Sequence, residues 1–181
     1  MNKKIIIPLI IILLLATGGI FLWWQDQKEV RELNKNLPEG VRIVKSLIGK
    51  EYRVVNKIDG YEIKIPKKWE GLKEVEYTPE REVNKMKATG LVLTNPIGEI
   101  VGIDQYKLNQ PIIELESLVK EFFEPEGVLE KQQIGNYEII KTEVERLAGM
   151  RIYFLKKDLK IYAIGGFFND DIREIILNGK W

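Results

Sequence analysis

The sequence predicts an α+β domain, a largely antiparallel β-sheet with helices packed on its faces, preceded by one transmembrane helix. Three observations predict it. Residues Ile5 to Trp24 form 20 consecutive residues without a charge, mostly Ile and Leu. Beyond Gly40, short stretches alternate apolar and polar residues and close on Gly, Pro or Asn, as strands joined by tight turns do. Two segments, 111–123 and 169–177, repeat their apolar residues at helical spacing instead. A chain of 181 residues has room for one domain with a real core.

At about 1.5 Å per residue, a helix of the length of Ile5 to Trp24 spans about 30 Å, the thickness of a bilayer's hydrocarbon core. Lys3 and Lys4 precede the run, and Trp23-Trp24 close it where an interfacial aromatic belt belongs. Pro8 falls in the first turn, and Gly18-Gly19 are tolerated in membrane helices. A core helix would be amphipathic, whereas this run is apolar all round. Ala16-Thr17-Gly18 offers a small-x-small cleavage site, but cutting there would leave Ile20 to Trp24 as exposed hydrophobics at the new terminus. An uncleaved anchor is therefore expected, and without Cys no lipoprotein-type lipid attachment is available. Residues 1–4 are expected as a short basic cytoplasmic end. Lys28, Arg31 and Lys35 nearly balance them beyond the span, but a long domain translocates largely regardless of charge. The folded part is thus expected outside the cytoplasm. Residues 25–181 carry 26 basic and 27 acidic groups, a net of −1, which gives no electrostatic reason to lie on anionic lipid.

Residues 25–40 read as a polar helical stalk. Val30, Leu33 and Leu37 recur at spacings of three and four, Lys28/Glu32 and Glu32/Lys35 are spaced to pair, and Pro38-Glu39-Gly40 stops the helix. Residues 41–181 form the domain. The pairing of Val41–Ser46 and Tyr52–Asn56 stays open. Tyr61–Ile65 alternates strictly and ends at Pro66. Ala88–Thr94 and Glu99–Lys107 flank Asn95-Pro96-Ile97-Gly98, a hairpin with suitable turn residues. Gly135-Asn136 separates Val128–Ile134 from Tyr137–Glu145. Met150–Leu155 follows Ala148-Gly149, and Lys156-Lys157-Asp158 turns it into Lys160–Phe167. The last two strands are apolar on both faces, so they belong in the middle of the sheet, covered from both sides. In 111–123, Ile112, Leu115, Leu118, Val119, Phe122 and Phe123 share one face, and Pro111 suits the opening turn. Near the end Asn169 is the predicted N-cap. Asp170, Asp171 and Glu174 sit favourably to the helix dipole, and Ile172, Ile175 and Ile176 form the buried stripe.

Composition excludes several classes of chemistry. There is no His and no Cys, and the only serines are Ser46 and Ser117. Ser-His and Cys-His nucleophiles, imidazole acid–base steps and Cys or His zinc sites are therefore unavailable. A net charge of +1 with no basic stripe does not fit a nucleic-acid binder. Trp69, beside Pro66, is read as folding back over the core and finding a partner for its N–H rather than stacking on a ligand. The carboxylate pairs Glu124-Pro125-Glu126 and Asp170-Asp171 are candidates for acid–base work or calcium. They are read as solvated-turn and helix-start residues, since neither has the spacing of an EF-hand loop. Lys67-Lys68 and Lys156-Lys157 are read as turn lysines that protect sheet edges. Gly98-x-x-x-Gly102 lacks the ending of a phosphate loop, and Gly165-Gly166 reads as a strand-to-helix turn. No residue is assigned as catalytic, cofactor-binding or metal-ligating, and no cofactor is expected.

The segment Gly60-Tyr61-Glu62-Ile63-Lys64-Ile65-Pro66-Lys67-Lys68-Trp69 resembles the opening of PsbP-like domains: an aromatic-led alternating strand, a Pro, and a Trp three residues on. The order that follows is similar too, with a long hairpin, an apolar helix, an antiparallel meander ending Ile161–Gly166, and a closing helix over Asp170–Leu177. The superfamily includes an extrinsic subunit of photosystem II, a Ran-binding nuclear-import factor and bacterial anchored proteins of unassigned role. The resemblance covers about Ile58 to Leu177. It implies an α/β/α sandwich and a non-catalytic binding or assembly role, and it carries no site across, because His contacts used by photosynthetic members have no counterpart here. The expectation is a single-span membrane protein with an extracytoplasmic binding module for a protein partner in the cell envelope. The alternatives are a sensor of a small apolar or peptide ligand, and a carboxylate-based hydrolase of an envelope polymer, which needs two carboxyl groups about 5–9.5 Å apart in a cleft.

Overall fold

Period-two burial organises the chain beyond Gly40. The computed structural model describes Trp24 and residues 27–46, 51–83, 86–108, 114–123, 125, 127–144, 147 and 149–181. Strands β1 (Val41–Lys45), β2 (Tyr52–Asn56) and β3 (Tyr61–Lys64) form a small antiparallel sheet in that order. This settles the open pairing: Val41 faces Asn56 and Lys45 faces Tyr52, so the two segments form one hairpin. The main sheet is antiparallel and seven-stranded. It takes β4 (Glu74–Val83), β5 (Met86–Thr94), β6 (Ile100–Lys107), β7 (Glu130–Ile134), β8 (Tyr137–Glu143), β9 (Arg151–Lys157) and β10 (Lys160–Gly166) in the order β4-β5-β6-β10-β9-β8-β7. Residues 27–34 form helix α1; α2 is Leu115–Phe123 and α3 is Asn169–Asn178. The coarse expectation of an α+β domain with an antiparallel sheet and helices holds.

The strands read as apolar on both faces, β9 and β10, lie in the interior of the sheet. Tyr153, Leu155, Tyr162 and Ile164 point into one core cluster, while Phe154, Ile161 and Ala163 point into another. Leu115, Leu118 and Val119 of α2 cover the second cluster. Over the first lie the small sheet, the Ile172, Ile175 and Ile176 stripe of α3, and Leu33 of α1.

Several expectations shift. Leu33 is buried and Val30 and Leu37 pack against the core, so α1 lies along the domain instead of standing off it as a stalk. Its ion pair runs to the domain as well, from Lys45 to Glu29 at 2.8 Å. The β9–β10 turn is Asp158-Leu159, and Lys156-Lys157 belong to β9. Asn169 is the first residue of α3 and not its N-cap; Phe168 takes the cap position without a side-chain cap bond. The Asn169 side chain is used otherwise, since the Tyr153 hydroxyl donates to its Oδ1 at 2.9 Å. The run Ile5 to Trp24, apart from Trp24, and residues 111–113 of the predicted helix lie outside the described residues. Among the described residues no helix is long and apolar enough to cross a membrane.

Strand β4 is an edge of the main sheet, regular in register over Glu74–Thr78, and it is its second half that resists further pairing. It carries Pro79, alternating charges and an irregularity in register between Thr78 and Arg81. Glu80 clamps three strands, accepting from Lys87 Nζ at 2.9 Å and Lys107 Nζ at 2.8 Å. These bonds, Lys107 first, hold its carboxyl down at about 2. A depressed folded pKa means the clamp acts fully above the ordinary value of 4.5 and is lost as pH falls through about 2. A carboxyl-carbon NMR titration of Glu80 is expected to show that low midpoint, and Lys107→Ala to return it towards 4.5. An ordinary midpoint in the unaltered protein would remove the clamp.

Candidate functional site

Trp69 ends a short 3-10 turn, Lys67–Trp69, that begins at Pro66. Proline fixes the entry, and Glu70 follows in the left-handed region at φ 52°, which folds the indole back over the core. Trp69 is buried, and its Nε1–H donates to Asp171 Oδ2 at 2.9 Å. The expected partner for the indole is thus one of the two aspartates at the α3 start, 102 residues away. Asp171 is fully buried, and Lys68 Nζ stands 2.7 Å from its Oδ1 in an ion pair outside hydrogen-bond alignment. Asp171 raises the Lys68 pKa above 10.5, so this contact is complete below that pH and fades as pH rises through the higher folded value. Lys67 pairs with Glu51 at 3.1 Å. The doublet read as turn lysines that protect a sheet edge therefore splits between two carboxylates. Glu124 and Glu126 lie outside the described residues.

A second polar cluster went unseen in the sequence. The β2–β3 turn places Asp59, almost fully buried, against the main sheet. Its carboxylate accepts from Asn56 Nδ2 at 2.6 Å and Thr89 Oγ1 at 2.7 Å, and Asp59 N donates to Asn56 Oδ1 at 3.0 Å. Lys160 Nζ and the Tyr162 hydroxyl donate to the Asp59 carbonyl at 2.5 and 3.2 Å. Gln105 lies opposite Thr89 and Tyr162 in the sheet, fully buried, and neither end of its amide has a partner among the described residues. The Tyr61 hydroxyl is alike in this, and burial pushes its pKa far up. The cluster locks turn to sheet. Asp-Gly is a surface-turn signal, which is why Asp59 drew no notice.

Compared with protein-family models, with curated proteins and with solved structures, the chain matches none. The functional reading rests on its own geometry.

The carboxylate-hydrolase alternative asks for two converging carboxyl groups. Burial raises the Asp104 carboxyl, but its close partner is Arg81, whose Nη2 donates at 3.2 Å. Gly90 lies beneath it, where a Cβ would come within 2.7 Å of Asp104 Oδ1. A groove of about 760 Å³ lies elsewhere, between α1 and β4. Glu29, Glu32 and Asn36 line one wall and Glu74 and Glu76 the other, with Leu33, Leu72 and Val75 supplying apolar surface. Lys73 is the cation among these lining residues. The groove follows the outer edge of β4, which has no partner strand among the described residues. An acidic trough beside an unpaired strand edge offers two things to an extended segment: main-chain hydrogen bonds, and carboxylates for its basic side chains. Neither wall was singled out in the sequence. Glu29 and Glu32 sit on one helical turn and Glu74 and Glu76 on one strand face, but only packing α1 on the domain brings the two pairs together.

Proposed function

We propose that the chain is a single-span membrane protein, held by Ile5 to Trp24, whose extracytoplasmic domain is a non-catalytic binding module for a protein partner in the cell envelope. The antiparallel sheet, with α2 over one face and α3 over the other, supports the PsbP-like α/β/α reading and the binding or assembly role that goes with it. One observation carries the function: the acidic α1–β4 groove beside a strand edge that has no partner among the described residues. The module grips an extended, basic segment of its partner there.

The test is photo-crosslinking in native membranes from the full chain, with a photoreactive residue at Glu76 in the groove or, as a control outside it, at Lys120 of α2. One partner is expected from position 76 and not from position 120. Glu74→Lys with Glu32→Lys is expected to remove that product, and added salt to weaken it, because screening at 0.15 M shortens the electrostatic reach to about 8 Å. The same product from both positions, or one indifferent to charge reversal, would overturn the groove as the binding site.

A further inference from the structure

The direction of α1 distinguishes the two ends of the domain. Asn34, late in α1, bonds Ile43: the Ile43 N–H donates to its Oδ1 at 2.7 Å, and its Nδ2 donates to the Ile43 carbonyl at 3.0 Å. Glu29, earlier in the helix, pairs with Lys45 instead. Followed back towards its start, α1 therefore heads past the Lys45 end of the small sheet. Other elements crowd that end. Glu29, Tyr52 and Pro96 all lie within 4 Å of the Cβ position of Gly71. Thr94 pairs with Ile100, and Gly166 with Val101, so the β5–β6 tip and the β10–α3 turn stand side by side.

Exposed apolar side chains gather at this end. Ile97 is 81% exposed, Ile100 47%, Phe167 47% and Phe168 42%. By strand register, the opposite end holds only three of the exposed large hydrophobics among the described residues: Ile58, Leu159 and Leu177. Exposed apolar residues that cluster, rather than scatter, mark a contact surface. Ile97 is also held rigidly outward, because Asn95 Oδ1 accepts from both Ile97 N and Glu99 N at 3.1 and 2.8 Å.

The sequence says what covers this end. The charge-free run ends at Trp24, and α1 is helical from residue 27. Three residue steps reach at most about 11 Å even when fully extended. If the run crosses a bilayer, the start of α1 is tied within that distance of the point where it leaves the lipid.

We propose that this end rests in the interfacial layer of the same bilayer, with Ile97, Phe167 and Phe168 dipping into lipid. The inference rests on the proposed anchoring by Ile5 to Trp24. The contact is apolar rather than electrostatic, which suits a domain of net charge −1. It orients the domain with α1 along the membrane normal and the β2–β3 turn farthest from the lipid.

The chain lacks Cys, so single cysteines label uniquely. Full-length Ile97→Cys, Phe167→Cys and, as a distal control, Leu177→Cys would carry an environment-sensitive fluorophore in phosphatidylcholine/phosphatidylglycerol vesicles with or without brominated acyl chains. Blue-shifted emission quenched several-fold by brominated lipid is expected at 97 and 167, with no quenching at 177. Flotation and alkaline extraction of the same vesicles report anchoring separately. Protein that is extracted overturns both the anchor and this inference. Protein that stays while position 97 remains as wet as 177 overturns the inference alone. A blue shift that grows with protein concentration and ignores brominated lipid gives the face to a second copy, and likewise overturns it.

Discussion

Trp69→Ala is expected to destabilise the domain by about 3–5 kcal/mol, the range for removing a buried large aromatic. Two losses combine. The cavity strips contacts from the core that the small sheet, α3 and the main sheet share, and Asp171, fully buried, loses the indole donor at 2.9 Å. Trp69→Phe separates them: it keeps most of the volume and leaves Asp171 Oδ2 without its donor, for a cost of about 1–3 kcal/mol. Asp171→Asn keeps an acceptor for the indole and removes the charge facing Lys68, so it should cost less than Asp171→Ala. The check is thermal unfolding of the detergent-solubilised chain followed by near-ultraviolet circular dichroism, where each kcal/mol moves Tm by about 2–4 °C for a domain of this size. A Trp69→Ala midpoint within 2 °C of the parent would mean that the indole is not a core group. A Trp69→Phe/Asp171→Asn double change is expected to be non-additive, since the two side chains are direct partners.

Asp59→Ala is expected to cost about 2–6 kcal/mol, because Asn56 Nδ2 and Thr89 Oγ1 would each be left buried without an acceptor at about 1–3 kcal/mol apiece. The change also loosens the turn whose carbonyl receives Lys160 and Tyr162. Asp59→Asn is the informative companion. An asparagine can still accept from Asn56 through its oxygen and donate to the Thr89 hydroxyl, which accepts as readily as it donates. It should therefore recover most of the loss. Amide hydrogen exchange locates the effect: protection should fall first at Asn56 to Tyr61 and along β3. Equal losses from Asn and Ala would show that charge, rather than hydrogen-bond satisfaction, holds the turn in place.

Local order and the broad class were legible because they depend on neighbours in the chain. The alternation of Tyr61 to Ile65, the turn at Asn95 to Gly98 and the Gly135-Asn136 junction all appear where their residues put them. So does the two-sided burial of β9 and β10. Trp69 was read correctly as a core residue seeking a partner, but nothing local could say that the partner is Asp171. Asn169 was misplaced by one position because cap preference is a local rule, and a tertiary bond from Tyr153 had already claimed the side chain.

The amino-acid sequence by itself determined the helices and every strand but β4 (Glu74–Val83), the antiparallel class, the uncharged run and the absence of imidazole and thiol chemistry. Each of these follows from residue type and short-range period. Only the tertiary structure decided that α1 lies on the domain, that Asp59 is sealed under a turn, that four glutamates from two elements line one groove, and that Ile97 and Phe167 share one end. These depend on contacts between residues far apart in sequence, and their energy appears only once chain closure has been overcome. Polar residues make this hardest to foresee: a carboxylate has the same local signature in water as in a core, and only the donors that surround it reveal which it occupies.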